Sequence, residues 1–207
     1  MTKSELREKM KEIRNHLPKE EQHRSAEEIL RRLTGMGFWS ECTQLFTYLS
    51  FGAEVDTWRI VKEALNGGMS NPKEVYVPRV EGKSMNFYRI KETSILLPSK
   101  FGVPEPDGSN LIPYKAQLPN GEASVRKLML LPGLAFDLSG SRIGYGAGYY
   151  DGYLKGFACN HFTKIAVAYD FQIQERVPAE NHDIRMDYIV TPERIIHCQT
   201  QLSSMPK

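Results

Sequence analysis

The chain has 207 residues, of which 41% are apolar and 25% charged, ordinary globular values that suit one large domain, 1–207, with a substantial core. Its 27 basic residues nearly balance 25 acidic ones, and a net charge of +2 gives no general attraction for nucleic acid or an anionic membrane. Local basic clusters remain able to hold a phosphate. Cys42, Cys159 and Cys198 are widely spaced with no Cys-x-x-Cys, which argues against a disulfide framework or a thiolate zinc site and for a reducing, cytoplasmic setting. The start is charged from Lys3 onward with no apolar h-region, and no apolar run approaches the roughly 20 residues that span a bilayer, so a soluble protein is expected.

The first segment reads as a helix. Thr2 and Glu5 have capping-box spacing, and Leu6, Met10, Ile13 and Leu17 recur at helical intervals. Lys3, Arg7 and Arg14 fall together along one flank of that stripe. Pro18 ends this helix and opens a second, carried by Ala26, Ile29, Leu30 and Leu33 and stopped at Gly35 and Gly37. Leu45–Ser50 reads as a strand. Asp56 offers an N-cap for a helix through Leu65, closed by Asn66-Gly67-Gly68. Val75–Val80 and Met85–Ile90 flank a turn at Glu81-Gly82-Lys83 and form a hairpin. Pro98 to Gly121 is a long irregular connection rich in Pro, Gly and Asn. Leu128–Leu131, Lys164–Tyr169 and Tyr188–Val190 are further strands, and their alternation with helices implies a largely parallel α/β sheet.

The chemistry concentrates in Leu131-Pro-Gly-Leu-Ala-Phe-Asp137 and Gly140-Ser-Arg-Ile-Gly-Tyr-Gly-Ala-Gly-Tyr-Tyr-Asp151. A strand ends at Asp137, glycines follow at 144, 146 and 148, and a short amphipathic segment runs through Leu154. Strand, glycine loop and helix together bring backbone N–H groups to a phosphate, and glycine lets the backbone approach closely. Arg142 adds a charge that can make two hydrogen bonds to phosphate, and Asp151 a hard oxygen suited to Mg²⁺ on a nucleotide. The Gly-Lys-Ser/Thr ending of a P-loop and the dinucleotide spacing are both missing, so glycine spacing alone fits a structural turn as well as a phosphate loop.

These two runs, taken whole, are similar to the signature of the 5-formyltetrahydrofolate cyclo-ligases. Lys3 and Arg7 resemble the family's N-terminal ATP-phosphate pair, and Tyr48-Leu-Ser-Phe-Gly-Ala-Glu-Val-Asp-Thr57 its folate-contacting strand and loop. Pro78-Arg79, Met85 and Tyr88 resemble its central hairpin, and Glu180-Asn-His-Asp183 its C-terminal acidic segment. The resemblance implies a three-layer α/β/α fold with an open, mainly parallel sheet and a local β-hairpin. It implies an ATP site lined by Lys3, Arg7, Arg142, Ile143, Gly144, Tyr145, Gly146, Ala147, Gly148, Tyr149 and Tyr150. Folate would contact Leu49, Glu54, Tyr145, Gly146, Ala147, Gly148 and Tyr149, and Mg²⁺ would sit on Asp151 and Asp183. Ala147 departs from relatives, which often carry Gly or Lys there.

The implied reaction is ATP- and Mg²⁺-dependent closure of 5-formyltetrahydrofolate to 5,10-methenyltetrahydrofolate. The γ-phosphoryl group passes to the formyl oxygen, N10 attacks the activated carbon, and ADP and phosphate are released. Such chemistry asks for positioning and charge neutralisation, with Arg142 and Lys3 as charge stabilisers and no protein nucleophile. The expected partners are these small molecules alone, with no nucleic acid or membrane, on a monomer.

Plainer readings stand beside these. Lys3 and Arg7 fit a solvated helix flank, and Glu54 a carboxylate serving a helix dipole. Asp151 fits a surface acid, Asp183 a turn former, and Tyr149 or Tyr150 a core aromatic. The five histidines show no ligand spacing, and His182 stands out only as the neighbour of Asp183. Two other functions remain open to the residues: a sugar-phosphate isomerase or CoA-transferase on a related sandwich, and a nucleotide-binding regulatory module.

Overall fold

A computed structural model describes residues 1–68, 70–100, 102–107, 111–115, 126–180 and 183–198. In chain order it contains α1 (Lys3–Asn15), α2 (Lys19–Thr34), α3 (Gly37–Glu41), β1 (Cys42–Phe46), α4 (Trp58–Asn66), β2 (Glu74–Glu81) and β3 (Ser84–Ile90). These are followed by β4 (Leu96–Pro98), β5 (Pro104–Pro106), β6 (Arg126–Leu131), β7 (Ala135–Phe136), β8 (Arg142–Ile143), α5 (Tyr149–Leu154), β9 (Thr163–Val167), β10 (Tyr188–Val190) and β11 (Ile195–His197).

Seven strands form one sheet in the order β11-β10-β9-β6-β1-β2-β3. Pairings from β10 through β9, β6 and β1 to β2 are parallel, while β11 and β3 close the edges antiparallel. The central strands are apolar on both faces because helices and loops cover both. Leu45, Leu128, Leu130, Ile165, Val167 and Val190 face one core with Ile29 and Leu33 of α2, Trp39 of α3 and Ile60 of α4. Their neighbours Phe46, Met129, Leu131, Ala166 and Ile189 face the other, with Leu154 of α5 and Phe162. The fold is thus the expected three-layer α/β sandwich.

The order of strands has a consequence for the site. From β1 the chain crosses to β2 through α4, then returns to β6 on the other side of β1. α4 and α5 pack on opposite faces, so the sequence reverses direction between β1 and β6. In open α/β sheets ligands bind at the carboxyl ends of strands beside such a switch point.

Several boundaries differ from the sequence reading for identifiable reasons. β1 ends at Phe46 rather than Ser50, because the chain turns off the sheet edge after Thr47, whose N–H still reaches the Tyr76 carbonyl at 2.9 Å. The N-cap of α4 is Thr57, although Asp56 does accept from the Trp58 N–H at 2.9 Å. The Thr57 hydroxyl is used elsewhere: it donates to the Tyr48 carbonyl at 2.8 Å and accepts from Ser50 N–H at 2.9 Å, clamping the 48–57 loop. Gly35 caps α2, but Gly37 begins α3 instead of ending the helical region. The expected long connection contains the β4–β5 hairpin, and its residues 101, 108–110 and 116–121 lie outside the described residues, as does His182. Cys42 and Cys198 are buried and Cys159 is exposed, all as free thiols.

Candidate functional site

α1 begins with the expected capping box, the Glu5 N–H donating to Thr2 Oγ1 at 3.2 Å and the Thr2 N–H to Glu5 Oε2 at 2.8 Å. Its stripe is divided: Leu17 packs on the main core, Ile13 is exposed, and the first two residues turn away from the main sheet. Leu6 and Met10 pack on Leu134, Ala135, Ile143 and Val177, so the helix lies over the β7–β8 hairpin that carries the glycine loop. That hairpin is anchored by the buried Asp137. Its carboxylate accepts from Ser139 N–H and Oγ, Ser141 N–H and, across the chain, the Val177 N–H at 2.9 Å. Asp137 therefore shapes the turn rather than meeting a ligand.

With α1 in that place, Arg7 reaches the glycine loop and Lys3 the cavity beside it. Arg7 Nε donates to the Gly144 carbonyl at 2.9 Å. Lys3 Nζ lies 2.9 Å from Glu180 Oε1 and 3.0 Å from Asp183 Oδ2. The hydrogen bond to Glu180, with Asp183 behind it, raises the Lys3 pKa and keeps it a cation. Gly146 (φ +105°) and Gly148 (φ +69°) hold backbone conformations that side-chain-bearing residues rarely adopt, and Gly148 immediately precedes α5.

Arg142 is mostly buried and already committed. Nη1 donates to the Pro132 carbonyl at 3.1 Å, Nη2 to Asp151 Oδ2 at 2.9 Å, and the guanidinium lies 5.8 Å from the Tyr150 ring centre. The other oxygen of Asp151 accepts the Ile184 N–H at 3.1 Å. That bond joins the 183–184 segment to α5 and places Asp183 beside Asp151 although 32 positions separate them.

A cavity of about 410 Å³ results, lined by Lys3, Arg7, the whole of 142–152, Lys155, Glu180 and Asp183 among others. Every residue expected at the ATP and metal positions lines this one space. Leu49 and Glu54 do not. Leu49 is 2% exposed within the α2–α4 core. Glu54 reaches the cavity's wall through Tyr145, whose hydroxyl donates to Glu54 Oε1 at 2.8 Å. Burial pushes the Glu54 carboxyl above its usual range, opposed by the Phe51 N–H, the Arg14 charge and the Tyr145 hydroxyl. Burial also raises Tyr145 to about 12, so it is a neutral donor near pH 7.

Sequence reasoning missed Lys155 as a lining residue. Its spacing four after Asp151, on the same helix face, was the available signal. It placed Arg14 on the cationic flank of α1 but gave it no role; the side chain is buried against Tyr145.

The profile of the 5-formyltetrahydrofolate cyclo-ligase family matches residues 1–192. The chain belongs to that family. It is accordingly an enzyme of the ligase class. A Caenorhabditis elegans protein named "Probable 5-formyltetrahydrofolate cyclo-ligase" is 32% identical over 197 residues, covering 91% of each chain. The mouse 5-formyltetrahydrofolate cyclo-ligase is 29% identical over 202 residues, covering 89% of this chain and 91% of its own. The solved structure of Aquifex aeolicus 5,10-methenyltetrahydrofolate synthetase superposes with a TM-score of 0.78 at 32% identity, covering 100% of this chain and 97% of that one. Among the described residues no helix of this family member is long and apolar enough to cross a membrane.

Proposed function

We propose that the chain closes 5-formyltetrahydrofolate to 5,10-methenyltetrahydrofolate at the expense of ATP, with the nucleotide's phosphates in the 410 Å³ cavity and the folate against Tyr145 and Glu54. The carrying observation is the convergence of Lys3 and Arg7, from one end of the chain, on the cavity walled by the 144–148 loop, with Arg7 bonded to that loop's backbone and Lys3 to Glu180 and Asp183 across the same space. Cations and backbone N–H groups gathered around a pocket suit a polyphosphate.

The formyl oxygen is a poor leaving group until it is phosphorylated. Transfer of the γ-phosphoryl group to it places charge on phosphoryl oxygens, where Lys3, Arg7 and Arg142 can act. N10 then attacks the activated carbon and phosphate departs as the ring closes. The protein supplies position and charge, and no side chain need form a covalent bond. Leu49 supports the folate wall from the core, and Gly146 to Tyr149 complete it.

Mg²⁺ fits this donor set. Asp151 and Asp183 are hard-oxygen ligands on one cavity, their segments tied by the Ile184 N–H. One or two carboxylates beside phosphates and waters is the usual Mg²⁺ environment, and the ion would neutralise phosphate charge there. Growth of methenyltetrahydrofolate absorbance on mixing enzyme, 5-formyltetrahydrofolate, Mg²⁺ and ATP tests the assignment. Turnover that continues without ATP would refute it, and ATP binding with no turnover would point to a regulatory module.

A further inference from the structure

Arg14 is one of two basic residues that are buried as whole residues among those described, and Arg142, whose side chain is as deeply covered, is already held by Asp151 and Pro132. The other of the two, Lys73, has a structural explanation: it lies over the Trp39 ring and donates to the Cys42 carbonyl and to Ser70. Arg14 has no such surroundings. Its Nη2 donates to the Tyr145 hydroxyl, its Nη1 stands 4.0 Å from Glu54 Oε1, and its guanidinium carbon is 5.6 Å from the Tyr145 ring centre. Its Nε is buried with no hydrogen-bond partner. A buried cation with an orphaned donor is costly unless it serves the group it faces.

That group is Glu54. Its side chain is 11% exposed, with Oε2 accepting the Phe51 N–H at 3.1 Å and Oε1 accepting the Tyr145 hydroxyl at 2.8 Å. Tyr145 thus stands between Arg14 and Glu54, accepting from one and donating to the other. Arg7 and Arg14 are seven apart, two turns along one face of α1. The first holds the glycine loop by the Gly144 carbonyl and the second by the next side chain.

We propose that Arg14 is a positioning residue for the reaction, holding Glu54 as a carboxylate and Tyr145 in register so that the folate wall and the glycine loop form one surface. This rests on the folate reading of Glu54 given above. The other groups facing Glu54 are Tyr145 from the glycine loop, Tyr48 after β1, Tyr150 from α5 and Tyr169 after β9, whose hydroxyl reaches the Glu54 carbonyl at 3.4 Å. Arg142 lies beyond Tyr150, and Asp56 and Glu21 act on Tyr169. The tyrosines are all raised above their ordinary value by burial, so none of them titrates below neutral pH. Burial raises the Glu54 carboxyl, and against that the Phe51 N–H, the Arg14 charge and the Tyr145 hydroxyl lower it, Arg14 being the cation among them.

The test compares kcat and KM for 5-formyltetrahydrofolate across pH in wild type, Arg14→Gln, Arg14→Lys and Glu54→Gln. Arg14→Gln should raise the folate KM about tenfold near neutral pH, and move the acid limb of kcat/KM upward by about one pH unit, the size expected for loss of an opposite charge at this range. Arg14→Lys should restore the limb but not the whole of KM, because it returns the charge without the fork. Glu54→Gln should flatten the limb. A buried residue that merely holds the fold would lower Tm without moving that limb. Should Arg14→Gln fail to fold, Tyr145→Phe removes the joining hydroxyl and should shift the limb in the same direction. A ¹³C-detected titration of the Glu54 carboxyl reads the same effect without folate. A midpoint unchanged by loss of Arg14 overturns the role, whereas a Glu54→Gln enzyme with wild-type folate KM overturns the folate reading alone.

Discussion

Replacing Asp151 by Asn perturbs two things at once, and the structure separates them. The substitution preserves shape and can keep the acceptor for the Ile184 N–H, but it removes the charge opposite Arg142 Nη2 at 2.9 Å. The Arg142 side chain is 6% exposed and that of Asp151 22%, and Arg142 Nε has no partner to take up the loss. A charge-assisted hydrogen bond is worth about 1.5–3 kcal/mol, and a fully stranded buried charge about 3–5 kcal/mol. Water reaching Asp151, and the Pro132 carbonyl still on Nη1, favour the lower figure, about 2 kcal/mol. For a domain of this size that is a fall in Tm of about 4–8 °C, from a total stability of roughly 5–15 kcal/mol, so the variant stays folded at 25 °C. On the metal reading, Asp151→Asn should also raise the Mg²⁺ concentration for half-maximal cyclisation and cut the rate strongly. Denaturation curves and Mg²⁺ titrations of the same preparation measure both. An unchanged Tm would refute the ion-pair argument; an unchanged Mg²⁺ midpoint would remove Asp151 from the metal. Asp183→Asn should be milder in both respects, because Lys3 keeps Glu180 as a partner, and the double variant should lose less than the sum.

A Cβ at Gly146 would stand at ordinary contact distance, 3.6 Å, from Arg7 Cζ, so the backbone part of the cost of Gly146→Val, about 1–3 kcal/mol, comes from φ +105°. ATP binding, followed by calorimetry, should be lost while the far-ultraviolet spectrum stays native; unaltered affinity would exclude this loop. Replacing Lys3 and Arg7 together with Gln should raise the ATP concentration for half-maximal rate by tenfold or more, on the order of a single charged contact, while an unaltered midpoint would make them structural. His161, hydrogen-bonded to Tyr114 at 3.1 Å, is lowered by burial and then by Lys127. The folded state therefore binds fewer protons than the unfolded one below a pH of about 6.5, and the stability His161 contributes above that pH is lost as pH falls through its folded value. His161→Phe should flatten stability against pH in that window, and an unchanged slope would assign the acid loss elsewhere.

The parallel core was legible because strands covered on both faces read as unbroken apolar runs, as in Leu128–Leu131. Tyr188–Val190 and the β2–β3 turn at Gly82 were legible from β-branched residues and turn chemistry. The strand read as ending at Asp137 is in the structure two, β6 to Leu131 and the two-residue β7, and β8 was not read at all, since two residues give no period and the β7–β8 pairing depends on Asp137 organising the turn between them. Lys3 and Arg7 could be placed on one flank of α1, but whether that flank met solvent or the glycine loop depended on Leu6 and Met10 choosing the hairpin as their partner. Helical periodicity states that a stripe is buried without stating against what. The same gap concealed Arg14, whose partners lie 40 and 131 positions away. Leu49 shows the converse: a motif position can match while its side chain serves the core.

The charges around the cavity fit a site that exchanges partners. Lys3, Arg7, Arg142 and Lys155 line it together with Asp151, Glu180 and Asp183. Lys3 is held by two of the acids and Arg142 by the third, so neither cation has to be ordered from bulk water when a ligand arrives. On the proposed reading, phosphate oxygens would compete for the cations while Mg²⁺ competes for the carboxylates, and each half of the exchange would leave the other half's charges needing a partner. Nucleotide without metal would strand the acids beside phosphate, and metal without nucleotide would strand the cations. The arrangement would therefore favour the metal–nucleotide pair over either alone, through charges supplied by α1, Arg142, α5 and the cavity-lining Glu180 and Asp183.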